Sequence, residues 1–360
     1  MEHPYVNLSD YQNWFKSISW SAPGHVDVVV ESRMKISVTE KVSTMGSCFA
    51  QNISRTIKSS GFNYFIPEQK PSEMTFEEGV DSNYGVFSAR YGNVYTTRQA
   101  LQLFERAFSI RTFESNIWQL DKNFVDAYRP RIQPSGYTSV DELLHDREQH
   151  LHFVRKVFTE SDCFIFTLGL TESWVSRIDD AVFPIAPGVC GGNYNEKDIK
   201  FVNFDCEEVT KDLFSLITHI REINNQIKII LTVSPIPLVA TYENRHVLVS
   251  STYSKSVLRV AAEEASNNFD NVVYFPSFEI INSPSNENRY LEDDLRGVSK
   301  IGVNHVMRLF KKHFFENPDS DQLDYDKSNF SLDLDMNQKD VQCDEEVILN
   351  AIKKAGFNGD

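Results

Sequence analysis

One short run, Met45-Gly46-Ser47-Cys48-Phe49-Ala50, sets two nucleophile-capable side chains next to each other behind a glycine. Val42 to Met45 read as the end of a short apolar strand. Phe49, Ile53 and Ile57 then recur at helical spacing, and Gly61 stands where a helix C-cap belongs. A strand-to-helix turn of this kind brings Ser47 or Cys48 to a helix N-terminus, where outward-pointing backbone N–H groups and the dipole favour negative charge. A thiolate gains most from that placement, because helix N-termini lower cysteine pKa values. The same residues also admit a structural reading, with Cys48 as a small core filler and Ser47 as a cap.

Such a turn needs a framework, and the chain supplies one of alternating strands and helices. Val42–Met45, 62–66, Cys163–Leu168, 227–233 and Val272–Phe275 are short, continuous and rich in Val, Ile and Phe. Helical periodicity marks 51–60, 97–108, 139–159, 207–223, 253–266 and 300–315. Ser139 followed by Glu142 predicts a capping box, with Glu142 reaching back to the Ser139 amide. Apolar strands of this type suit a parallel sheet covered on both faces. The expected fold is α/β, a three-layer α/β/α sandwich with a mainly parallel sheet. Ligands of such sheets bind at the carboxyl ends of the strands, near a switch in strand order. Four strand ends there carry candidate loops: Gly46-Ser47-Cys48, Gly169-Leu170-Thr171-Glu172, Ser234-Pro235-Ile236-Pro237 and Pro276-Ser277-Phe278-Glu279. Residues 67–96 and 176–204 read as long excursions without periodicity, the second able to cover a crevice.

Composition excludes several function classes. At 360 residues and 41% hydrophobic content the chain can bury a sizeable core. It has no apolar run long enough to cross a bilayer, and Met1-Glu2-His3-Pro4-Tyr5 lacks the basic-then-apolar pattern of a signal peptide. Five cysteines (48, 163, 190, 206 and 343), an odd number with no C-x-x-C pair, read as free thiols in a reducing compartment, hence a cytoplasmic protein. The net charge of −15 argues against nucleic acid as a partner, since no basic stripe is available to release counterions. More than half of that charge falls in residues 316–360, with 12 acidic and 4 basic side chains. That segment reads as an acidic, disordered tail with a short helix at 344–355 capped by Gly356, following a single domain over residues 1–315. His145, His150 and His152 are spaced two, five and seven apart, which does not suit one metal on a helix face. No metal and no cofactor are expected.

The run Gly46-Ser47-Cys48-Phe49-Ala50 is the namesake motif of the GSCFA family, which resembles the SGNH/GDSL hydrolases. The blocks Asn83-Tyr84-Gly85-Val86-Phe87-Ser88-Ala89-Arg90, Thr167-Leu168-Gly169-Leu170-Thr171-Glu172-Ser173-Trp174, Thr232-Val233-Ser234-Pro235 and Tyr274-Phe275-Pro276-Ser277 are similar to that family too, and the resemblance spans roughly residues 3–315. It implies a nucleophile in the first turn. Set against the Gly-Asp-Ser-Leu turn of SGNH enzymes, Cys48 takes the nucleophile position and Ser47 that of the Asp, while a one-residue slip makes Ser47 the nucleophile. The oxyanion hole implied by the resemblance combines the nucleophile's amide with Gly92, beside Asn93, and with the Gly169 block, where Thr171 stands for Asn. Glu172 is a candidate acid–base group if an apolar site raises its pKa. The last SGNH block, Asp-x-x-His, corresponds to Asp294-Leu295-Arg296-Gly297, so Gly297 stands where the catalytic His belongs. His246, in a loop after the Ser234-Pro235 strand end, is the first candidate replacement, and His305 the second. Arg90, Lys255, Arg259 and Arg296 are candidates to hold an anionic substrate group.

The resemblance implies acyl-ester hydrolysis or acyl transfer on a carbohydrate or polysaccharide precursor, with a small molecule or glycan as substrate and an acyl-CoA as one conceivable donor. The alternative is a non-catalytic ligand- or glycan-binding protein that has lost the catalytic His. A scaffold acting through its acidic tail is a third class.

Overall fold

The computed structural model describes residues 3–22, 24–318 and 344–354. Two compact units are present: Thr39–Tyr274 with Val341–Asp360, and Met1–Val38 with Phe275–Asp340. The first contains the Gly-Ser-Cys turn.

Its centre is a parallel sheet of β1 (Val42–Gly46), β4 (Cys163–Leu168), β8 (Lys228–Val233) and β9 (Val272–Phe275), side by side in that order. Val42 to Gly46 pair with Cys163 to Thr167, and Cys163 to Leu168 with Lys228 to Val233. Every residue of β1 and β4 is buried, which is why neither strand carries a charged side chain. Helices flank the sheet, giving the expected α/β/α sandwich. They are α1 (Ala50–Ser59), α3 (Thr97–Ala107), α4 (Val140–Glu160), α5 (Cys206–Ile223) and α6 (Val247–Asn268), with α2 (Phe76–Asp81) a short turn between α1 and α3. Gly61, at a φ of +75°, closes α1 as its position suggested.

The segment 62–66, expected as a strand, makes only one parallel bridge, Val42 to Tyr64. Val42 donates to Asn63 O and accepts from Phe65 N, and the chain then turns away at Pro67. That bridge still matters. The chain leaves β1 to one side for Tyr64 and later returns on the other side as β4, so the strand order reverses at β1, where a crevice opens in such sheets. Ser139 caps α4 by accepting from Glu142 N. The Glu142 carboxylate, however, accepts from the amide and hydroxyl of Thr138 rather than from the Ser139 amide. Helix α6 begins six residues earlier than its periodicity suggested: Leu248 and Val249 are exposed, so the apolar stripe starts only further on.

The excursions turn out to be structured. Strands β2 (Ile117–Leu120) and β3 (Asn123–Asp126) form a hairpin, while β5 (Glu172–Ser176), flanked by β6 (Val182–Phe183) and β7 (Ile199–Asn203), makes an antiparallel three-stranded sheet. Phe113, Trp118, Val125, Tyr128, Phe183 and Ile199 share one core between them. Ile348, from the last helix, α9 (Glu345–Lys354), packs against that core. Cys343 and Gly356 lie outside the described residues, as does most of the tail.

The second unit carries α7 (Ser277–Ile281) and α8 (Lys300–Phe314). Ile36 bridges Phe315, and Asp27 accepts from His313 and Lys312. Those partners hold the Asp27 carboxyl down at about 2 against the opposing effect of burial.

Candidate active site at the end of the first strand

Gly46 makes the turn. Its φ is +133°, and a Cβ built on it would lie 2.2 Å from the Thr167 carbonyl oxygen, so only glycine lets β1 end this close to β4. The Gly46 carbonyl accepts from Val94 N at 2.9 Å, and the Ser47 amide donates to Thr167 O at 3.1 Å. Helical bonding then begins, Ala50 N to Ser47 O and Gln51 N to Cys48 O. No side chain caps α1. Ser47 is therefore not the cap that its residue type suggested: its hydroxyl is buried and, among the described residues, meets no hydrogen-bond partner. Cys48 is buried beside it.

The opposite wall is Gly169. Its amide and that of Leu170 both donate to Tyr95 O, at 3.0 and 3.1 Å. A Cβ on Gly169 would come within 3.2 Å of Ser47 Cβ, so a larger residue would crowd the turn. Lys255, from α6, donates to the Gly169 carbonyl at 2.7 Å and is only 4% exposed. Expected as an anion holder, it instead fastens the loop that faces Ser47.

Other candidates are placed differently from the expectation. Thr171 is sealed: its amide donates to Ser254 Oγ at 3.0 Å and its hydroxyl to Asn203 Oδ1 at 2.7 Å, so both donors shape the loop and neither serves an oxyanion. Asn203 in turn donates to Glu243. Glu172 is half-buried and accepts from the Thr241 hydroxyl at 2.6 Å. Burial raises its pKa, as an acid–base role requires, but its partners Thr241 and Tyr242 belong to the loop after β8. His246 is exposed and caps α6, its Nδ1 accepting from Leu248 N at 3.1 Å, so that ring nitrogen is spent on the helix terminus. Arg90 is consumed by carboxylates, and Arg259 lies over the Tyr274 ring and pairs with Glu263. In the second unit, Asp294 accepts from the amides of Arg296 and Gly297 and so forms a turn. His305 there meets the Tyr290 hydroxyl at 2.6 Å, and burial lowers its pKa to about 4.

Gly92 and Asn93 do line a cavity, together with Asn83, Tyr91, Arg131 and Asp344. Asn93 Nδ2 donates to Asp344 Oδ2 at 3.1 Å, and Arg131 donates to Asp344 Oδ1 at 3.2 Å. Behind the cavity lies a buried ion network. Asp126 accepts from Arg129 at 2.8 Å and Arg147 at 2.9 Å; Asp146 accepts from Arg129, Arg90 and Tyr137; Glu68 accepts from the Arg90 amide and pairs with His150 at 2.8 Å. The guanidinium groups hold the Asp126 and Asp146 carboxyls well below the usual range despite burial, and His150 does the same for Glu68. Tyr95, Arg131 and the pairing of Arg90 within the network escaped the sequence reading, because nothing local in the sequence marks contacts between residues 82 apart, as Glu68 and His150 are, or 249 apart, as Tyr95 and Asp344 are.

Comparison with known proteins adds a family. No curated protein matches the chain. Among solved structures, an acetyl xylan esterase from the rumen bacterium Butyrivibrio proteoclasticus is 11% identical at a TM-score of 0.22, over 66% of this chain and 55% of that one. The matched part thus spans little more than half of that esterase, and a likeness this slight carries neither fold nor activity. The sequence matches the GSCFA family over residues 41–310, three-quarters of its length. The glycine turn at the switch point and that match agree: the chain belongs to the GSCFA family.

Proposed function

We propose that the protein cleaves or transfers an acyl ester through a nucleophile in the Gly46-Ser47-Cys48 turn. The observation that carries this reading is the turn itself: Gly46, at a φ of +133°, ends β1 against Thr167 and sets Ser47 and Cys48 at the carboxyl end of the strand where the strand order reverses. Cys48 Sγ, at the start of α1, attacks the acyl carbonyl as the thiolate. The carbonyl oxygen takes up the negative charge at the N-terminal end of α1. Collapse releases the alcohol, which takes a proton from water, and leaves a thioester on Cys48. Water, or an acceptor hydroxyl, then attacks the thioester and restores the thiol. A second reading makes Ser47 the nucleophile, and its unpartnered buried hydroxyl favours it. The proposed substrate is a small polar ester, of the kind a carbohydrate precursor presents, in the cytoplasm; an acyl-CoA would serve as donor if the reaction is transfer.

The full-length protein incubated with p-nitrophenyl acetate should release nitrophenolate and carry a transient acetyl group on the peptide containing Cys48, mapped by mass spectrometry. Cys48→Ala should lower kcat/KM by about 10³-fold or more, the scale of losing a covalent nucleophile. If the adduct persists in Cys48→Ala and vanishes in Ser47→Ala, the nucleophile is Ser47. Turnover untouched by either substitution would leave the crevice as a binding site without chemistry.

A further inference from the structure

The chain places one of its own carboxylates in the cavity beside the turn. Asp344 immediately precedes α9, whose Ile348 anchors on the core under the hairpin β2–β3. Both Asp344 oxygens reach across some two hundred residues of sequence or more, Oδ1 to Arg131 and Oδ2 to the Asn93 side-chain amide. Its backbone amide donates to the Tyr95 hydroxyl at 3.3 Å. The Asp344 side chain is 13% exposed and that of Arg131 33%, so solvent still reaches the pair from the Arg131 side.

We propose that Arg131 and Asn93 form a carboxylate-binding subsite, and that Asp344 occupies it in cis as a stand-in for an acidic group of the substrate. The donor set is the argument. A guanidinium and a primary amide converge on one carboxylate with one hydrogen bond to each oxygen, the arrangement by which proteins recognise this group. The subsite and the turn are joined through one stretch of chain: Asn93, which lines the cavity, is followed by Val94, whose amide donates to the Gly46 carbonyl, and by Tyr95, whose hydroxyl accepts from the Asp344 amide and whose carbonyl accepts from the Gly169 amide that walls Ser47. A ligand carboxylate seated on Arg131 would therefore be held beside the segment that contacts the turn. The ligand class is a carboxylate-bearing small molecule, such as an ester whose acyl or alcohol part is acidic. Because the internal carboxylate is always present, it competes with any ligand until displaced. That the bound ligand is turned over rests on the proposed acyl chemistry; that the subsite binds carboxylates does not.

The test reads binding alone. Full-length wild type, Asp344→Ala, Asp344→Asn and the double variant Asp344→Ala with Arg131→Gln are titrated with succinate by calorimetry, after thermal melts establish that each is folded. Asp344→Ala should bind succinate at least about 10-fold more tightly than wild type, and adding Arg131→Gln should remove that gain. Asp344→Asn keeps the shape but not the charge, so it covers the case in which Asp344→Ala fails to fold, and should also bind more tightly than wild type. Equal affinity in wild type and in both Asp344 variants would overturn the proposal, as would a gain that survives the loss of Arg131. Ester cleavage is measured separately, so a protein that binds succinate as expected but turns nothing over refutes the acyl reading and keeps the subsite.

Discussion

The parallel sheet and the antiparallel strands beside it are held together by different physics. In β1 and β4 every residue is buried and every side chain is apolar, sulfur-bearing or a small hydroxyl, and Phe164, Ile165 and Phe166 are aligned by strand pairing. The region around β2 and β3 adds to its apolar core a buried network of Asp126, Asp146 and Glu68 interleaved with Arg90, Arg129, Arg147 and His150. Hydrocarbon burial is non-directional and tolerates small errors, whereas a buried ion network stabilises only when each member is satisfied. The Gly-Ser-Cys turn grows from the first kind of structure; the cavity lined by Arg131 and Asp344 leans on the second.

That contrast can be broken at several points. Gly46→Ala should do the most damage, more than about 4 kcal/mol, because a Cβ meets the Thr167 carbonyl and the backbone conformation is strained as well. Urea unfolding that shifts by less than about 1 kcal/mol would show that β1 and β4 can part more easily than described. Asp126→Ala should cost about 3–5 kcal/mol by stranding two buried guanidinium groups, while simultaneous replacement of the network by apolar residues of similar volume should cost far less. A single substitution that is silent would mean the arginines find other partners.

Acid separates the two regions next. The Asp126, Asp146 and Glu68 carboxyls titrate below their unfolded values, so the stability they contribute is complete above about pH 5 and is lost as the pH falls from there through the folded values. Amide exchange at low pH should therefore rise first in β2 and β3 and last in β4, whose residues do not titrate in that range. Simultaneous loss in both regions would argue that they open as one unit. The smallest effect belongs to His246→Ala, which should cost about 1 kcal/mol or less through the cap of α6 and leave turnover intact. A loss of turnover well beyond that would return His246 to the list of bases.

Much of this molecule was legible before any coordinates. Cys163–Leu168 and Val272–Phe275 match their strands residue for residue, and the glycine behind Ser47 and Cys48 marked the turn. The antiparallel strands were missed because Glu172–Ser176 and Ile199–Asn203 mix polar with apolar residues and owe their conformation to each other. Capping showed the same boundary on a smaller scale: Ser139 was readable as a cap, but whether Glu142 answers at Ser139 or at Thr138 depended on the turn before the helix.

By itself the sequence determined the parallel sheet, its long helices and the position of the Gly-Ser-Cys turn, since each follows from residues within a few positions of one another. Only tertiary structure decided which side chains meet. It gave the donors and acceptors of Thr171 and His246 nearer partners, turned Lys255 onto the Gly169 loop, and brought Arg131 and Asp344 together from distant parts of the chain. Hydrogen-bond partners are chosen by distance in space, and no local pattern encodes a contact between residues 131 and 344.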